Sequence, residues 1–158
     1  MNFRLPDLIP EDLPLPHIEK LIRTDVITVN PELSIHKAIE LFVENKISGA
    51  PVLDDKGLLV GMISEKDCLG VLIAETMHEV TACSVSHYMS TKNILKAPQN
   101  IGILDLAILF RDHSFRHLPV VSHKNEFKGM ISRVCILGAL DEYNKNLKHK
   151  NLVTPPGG

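Results

Sequence analysis

Cys68, Cys83 and Cys135 are the only cysteines among 158 residues. They are odd in number and form no CxxC pair, which suits a reducing compartment better than a disulfide framework, so a cytoplasmic location is expected. Charge of one sign is equally scarce. Lys and Arg number 17 against 19 Asp and Glu, a formal net charge of −2, without the basic excess of a nucleic-acid binder, so no nucleic-acid partner is expected. Apolar runs such as Leu69–Ala74 fall far short of the ~18 residues needed to cross a bilayer, and direct membrane insertion is not expected. The start, Met1-Asn2-Phe3-Arg4-Leu5-Pro6-Asp7, puts proline and acid where a signal peptide needs an unbroken apolar stretch, so secretion is not indicated. No Walker-type glycine loop and no nucleophile elbow occurs, and no enzymatic activity is expected. Of the eight histidines, His78 and His87 flank Cys83, but no HxxxH pair shares a face and no metal centre is expected.

What the chain does contain is ordinary globular material, 44% hydrophobic and 23% charged, long enough for one domain or two small intimate ones. Within it one pattern is written twice. Gly49-Ala50-Pro51-Val52, a turn and Gly61-Met62-Ile63-Ser64 return as His117-Leu118-Pro119-Val120, a turn and Gly129-Met130-Ile131-Ser132, at a constant offset of 68 residues. Such a repeat implies one supersecondary unit built twice and packed on itself. A ligand site is expected where the two copies face each other.

The division follows from composition. Residues 1–16 hold Pro6, Pro10, Pro14 and Pro16 and read as an extended arm. Residues 17–78 form the first copy, 79–91 a connector anchored by Val85 and Met89, 92–147 the second copy and 148–158 a flexible tail. In the first copy, His17–Leu21 forms one helical turn and Val26–Val29 a strand ended by Asn30-Pro31. A helix over Ile35–Asn45 follows, with Ser34 as N-cap and Ile35, Ala38, Ile39 and Phe42 on one face. Pro51–Leu53 and Leu58–Ile63 flank a hairpin turn in which Gly57 supplies positive φ, and the second copy has Asn125 in that place. Helices are predicted over Glu65–His78, Ile103–His113 and Arg133–Leu147, with a strand at Ile94–Ala97 and a second hairpin over Leu118–Ile131. Leu104, Ala107, Ile108 and Phe110 are the third helix's burial candidates; Leu137, Leu140 and Tyr143 are the last one's.

A β-α-β-β-α unit with G-x-P-V at the second strand and G-h-I-S-x-x-D after the third resembles the CBS domain, here as the tandem pair called a Bateman module. The resemblance covers residues 17–140. It implies an α+β fold in which two β-α-β-β-α repeats pack sheet to sheet with pseudo-two-fold symmetry. It further implies adenosine-containing ligands in clefts between the repeats, assembly as a homodimer, and regulation of another protein, unnamed by the sequence.

Residue by residue, Ser64-Glu65-Lys66-Asp67 matches the family position whose hydroxyl and carboxylate contact the nucleotide. A carboxylate suits the ribose diol because its two oxygens can accept from two donors at once. The same residues also spell a capping box, Ser64 as N-cap and Asp67 at N3, and the two roles are compatible. The second copy reads Ser132-Arg133-Val134-Cys135, and a thiol cannot replace the carboxylate. Conversely, Ile47-Ser48-Gly49 becomes Phe115-Arg116-His117, adding two potential cations. In the family each cleft draws its carboxylate from one repeat and the pre-proline segment from the other. The Asp67 cleft is therefore expected to receive Phe115, Arg116, His117 and Arg133, and the opposite cleft Ser48, Gly49 and Ser132.

Several of these residues read two ways. Arg116 and His117 serve as phosphate donors or as a solvated strand start, and Phe115 as a base neighbour or a core or rim residue. Met62 and Ile101 are candidates for apolar contact with a purine or for ordinary core. Lys66 approaches phosphate or points to water. The resulting expectation is a non-enzymatic sensor of AMP, ADP or ATP. The alternatives are a ligand-free structural interaction module and a CBS pair that binds S-adenosylmethionine or another adenosine compound.

Overall fold

A computed structural model describes residues 13–79 and 84–153. Most of the N-terminal arm, Cys83 and Thr154–Gly158 lie outside the described residues. The element order is a 3-10 turn at Ile18–Leu21, α1 (Ile35–Asn45), β1 (Gly49–Leu53), β2 (Leu59–Ser64) and α2 (Glu65–Thr76). A second 3-10 turn at Val85–His87 leads to β3 (Ala97–Pro98), α3 (Ile103–Asp112), β4 (His117–Val121), β5 (Phe127–Ser132) and α4 (Arg133–Val153). The fold is α+β, with two repeats.

Each repeat is a hairpin backed by two helices. β1 and β2 pair antiparallel with Pro51 opposite Met62, and β4 and β5 do the same with Pro119 opposite Met130. Alternate strand residues face the helices: Ala50, Val52 and Ile63 share a core with Ile35, Ala38, Phe42, Cys68 and Val71. Leu118, Val120 and Ile131 share the other with Ile103, Leu106, Phe110 and Ile136. Burying each of the Val, Leu, Ile and Phe side chains contributes about 1.5–3 kcal/mol. The turns carry the expected backbone, with φ 78° at Gly57 and 63° at Asn125.

The predicted strands ahead of α1 and α3 are shorter than expected. Only Val29 pairs, parallel to Val52, and only Ala97–Pro98 pair with Val120–Val121. The reason lies in how the chain enters each repeat. Leu15, Ile18, Leu21 and Ile22, which precede the first repeat's helices, pack in the core of the second. Val85, Tyr88 and Met89, which precede the second repeat's helices, pack in the core of the first. Arg23 pairs with Met130, and Ser90 with Met62. After each pairing the backbone must cross to its own repeat, so residues 24–28 leave the ladder until Val29.

The exchange also requires glycine on the strands it crosses. A Cβ on Gly129, at φ 146°, would meet the Arg23 carbonyl and sit 2.5 Å from Ile22 Cγ2; one on Gly61 would lie 2.7 Å from Met89 Sδ. At the far end the two hairpin turns bond to each other. Leu59 N–H donates to Asn125 O and Phe127 N–H to Gly57 O, both at 3.1 Å. A shift by 68 residues exchanges these two bonds, so the pseudo-two-fold axis passes between them.

Other differences are local. Ser34 occupies the N-cap of α1 but its side chain makes no cap bond. α2 ends at Thr76, and α4 runs to Val153, past the predicted end at Leu147. In α3 the buried residues are Ile103, Leu106 and Phe110, while Ile108 is exposed. In α4 Ile136 and Tyr143 are buried whereas Leu137 is exposed, and the Tyr143 hydroxyl donates to Leu13 O at 2.9 Å. No helix of the described residues is long and apolar enough to cross a membrane.

Candidate functional site

The first repeat offers its site where β2 turns into α2. Ser64 N–H and Oγ–H both donate to Asp67 Oδ2, at 2.8 and 2.9 Å, and Asp67 N–H donates back to Ser64 Oγ at 3.3 Å. This is the reciprocal capping box, and it satisfies donors the helix start would otherwise leave open. It occupies one carboxylate oxygen only. Among the described residues Asp67 Oδ1 has no partner, so the half-buried side chain keeps acceptor capacity for a ligand hydroxyl. Next to it, burial and then the Asp67 charge push the Cys68 thiol above its ordinary value, which keeps it a neutral packing group.

Glu65 N–H donates to Ser48 O at 2.9 Å, which sets the pre-proline segment Ser48-Gly49 against the start of α2. Met62, half-buried in the middle of β2, lies beside Ser90. Lys66 is exposed and forms no ion pair among the described residues. This half of the site is acceptor-bearing, with the Asp67 carboxylate beside the small residues Ser48 and Gly49.

The second repeat builds the same backbone with different chemistry. Arg133 N–H donates to Arg116 O at 2.8 Å, the counterpart of the Glu65–Ser48 bond. His117 stands opposite Ser132 in the ladder, and Ser132 Oγ caps α4 by accepting from Cys135 N–H at 3.2 Å. Cys135 returns nothing, so half of the box is missing. The His117 ring reaches solvent yet is partly shielded, and its proton affinity is lowered by burial first, then by the positive charges of Arg23 and Arg116. Phe115 is 52% exposed and belongs to neither core. Ile101 is half-buried against the second repeat's core.

The predicted site residues thus fall into two groups. Met62, Ser64, Lys66 and Asp67 sit with Ser48-Gly49 on the first repeat; Phe115, Arg116, His117 and Arg133 sit with Ser132 on the second. Among the described residues no hydrogen bond or ion pair joins Asp67 to Arg116, His117 or Arg133. One residue that the repeat pattern overlooked belongs with the second group. Arg23 takes the place on β5 that Ser90 takes on β2, 67 residues apart rather than 68, so an alignment at the repeat period sets Arg23 against Thr91 instead. No group of three or more His, Cys, Asp or Glu among the described residues is placed to hold a metal ion.

The CBS domain profile matches residues 18–74 and again 85–142. The chain belongs to the CBS domain family. CBSX2, a CBS-pair protein of Arabidopsis thaliana solved in complex with AMP, superposes with a TM-score of 0.69 at 28% identity over 81% of this chain and 98% of that one. The CBS domain-containing protein YhcV of Bacillus subtilis is 30% identical over 68% of this chain and 74% of its own. Inosine-5'-monophosphate dehydrogenase of Aquifex aeolicus is 28% identical over 67% of this chain but only 21% of its own length. The chain spans about a fifth of the dehydrogenases it matches.

Proposed function

We propose that this CBS pair is a non-enzymatic regulatory module that binds one adenine ribonucleotide, AMP, ADP or ATP, and transmits its occupancy to another protein. The observation that carries the reading is the split of charge across one duplicated backbone. A carboxylate with a spare oxygen stands at the start of α2 in the first repeat, and Arg116, His117 and Arg133 stand in the pre-proline segment and at the helix start of the second. A ribose needs the first and phosphates need the second. In this reading Asp67 and Ser64 take the ribose hydroxyls, Arg116, His117 and Arg133 face the phosphates, and Met62, Ile101 and Phe115 border the base. The AMP held by CBSX2 supports that ligand class.

Occupancy that engages both repeats favours the arrangement in which they close on the ligand. The resulting shift is bounded by the ligand's differential affinity for the two states. The reading includes a cytoplasmic site of action, in keeping with free thiols at Cys68 and Cys135. It also includes a homodimer formed through the helices, where Val43, Leu69, Ile73, Met77, Val134 and Leu137 are exposed.

Isothermal calorimetry against AMP, ADP, ATP, S-adenosylmethionine and cyclic di-AMP tests the proposal. Saturable binding of an adenine mono-, di- or triphosphate at one site per chain is expected. Preference for S-adenosylmethionine would remove the phosphate assignment. No binding to any of the five would leave the ligand-free interaction module as the reading.

A further inference from the structure

We propose that Arg23, carried on the segment that leads into the first repeat, is a phosphate-binding residue of the second repeat, completing an anion subsite with Arg116 and His117. The inference rests on the nucleotide reading above and adds to it a residue that the 68-residue offset does not align with its structural counterpart Ser90.

The placement follows from the ladder. Arg23 N–H donates to Met130 O at 2.8 Å and Met130 N–H to Arg23 O at 2.9 Å, so the two residues are directly opposed. Opposed residues of an antiparallel pair project from the same face. Met130 in turn opposes Pro119, and Ser132 opposes His117. His117 and Pro119, two apart on β4, share a side. Arg23, Met130, His117 and Ser132 therefore line one face of the second sheet. The other face carries Leu118, Val120 and Ile131 into the helical core. His117 responds electrostatically to Arg23 before Arg116, which agrees with this register.

The charge there is poorly compensated. Arg23 Nε lies 3.5 Å from Asp25 Oδ1, with 66% and 78% of the two side chains exposed, and an exposed pair of this kind is weak. Among the described residues no carboxylate pairs with Arg116 or His117. The corresponding positions of the first repeat are Ser90, Ser48 and Gly49, with no charge at all. Arg23 and Arg116 both act electrostatically on His117, and an anion beside them relieves that crowding of positive charge. Because Arg23 reaches this face only through the exchanged segment, anion binding there would also hold that segment on the second repeat.

The test uses the full chain and two readouts. Calorimetry compares AMP with adenosine for the wild type, Arg23→Gln, Arg23→Lys and Asp25→Asn. Arg23→Gln is expected to weaken AMP roughly 5–10-fold at low salt and to leave adenosine unchanged. Arg23→Lys should retain most of the AMP affinity, and Asp25→Asn should not weaken it. Thermal shift with inorganic pyrophosphate supplies a probe free of the nucleoside, and Arg23→Gln is expected to abolish the stabilisation. If Arg23→Gln binds AMP as the wild type does, the assignment of Arg23 is overturned and the nucleotide reading stands. If pyrophosphate stabilises the protein through Arg23 while no nucleotide binds, the nucleotide reading fails and the subsite stands. If neither probe binds the wild type, both are overturned.

Discussion

The two repeats share a backbone and divide their chemistry. Pro51 faces Met62 as Pro119 faces Met130, and the contact of Glu65 with Ser48 is rebuilt as that of Arg133 with Arg116. Yet the first repeat closes its capping box with Asp67, where the second stops at Cys135. The second gathers Arg23, Arg116 and His117 where the first has Ser90, Ser48 and Gly49. Hairpin geometry, helix starts and segment exchange tolerate this divergence because they depend on backbone bonds and on a few glycines. The side chains facing away from the helices are left to differentiate.

The largest effect is expected where the exchange is tightest, and it should differ between the repeats. Gly129→Ala would impose a Cβ on a positive φ and on the Arg23 backbone, whereas the alanine of Gly61→Ala meets first the flexible end of Met89. Denaturant unfolding should show a loss of about 2–3 kcal/mol for Gly129→Ala and about 1 kcal/mol for Gly61→Ala. Equal losses would mean that the two crossings are equally rigid.

Asp67→Ala should weaken AMP binding at least ~10-fold, since a hydrogen bond to a charged acceptor contributes ~1.5–3 kcal/mol. It should also cost about 1 kcal/mol of stability through the lost cap. A stability loss with unchanged affinity would reduce Asp67 to its capping role. The reverse experiment is Cys135→Asp, which restores the missing half of the box on α4. A gain of roughly 0.5–1 kcal/mol is expected by thermal denaturation.

The smallest effect concerns pH. Burial, Arg23 and Arg116 hold His117 below its ordinary value of 6.5. As pH falls through about 6.5 the unfolded chain takes up this proton first, so the folded state loses stability from there down to the depressed folded value. His117→Gln should flatten the stability profile in that acid window. An unchanged profile would mean that the ring titrates as freely as in the unfolded chain.

Much of this was legible in the chain itself. α1 follows from Ile35, Ala38 and Phe42 at helical spacing, and Gly57 and Asn125 mark two turns that need positive φ. The Ser64–Asp67 box was readable because capping depends only on residues three apart. The exchange was not readable, since Ile18 and Val85 are apolar anchors suited to either core and sequence alone does not say which sheet they join. Arg23 was missed for the same reason: its neighbours on β5 are more than a hundred residues away. Ile136 and Leu137 show a finer limit. Adjacent aliphatics on a helix look alike in sequence, but one faces the core and the other solvent.

The most direct measurement is a crystal structure of the chain grown with AMP. One nucleotide is expected, with its ribose hydroxyls on Asp67 and its phosphate against Arg116 and His117. A nucleotide whose phosphate stays on the first repeat, or whose ribose lies away from Asp67, would contradict it.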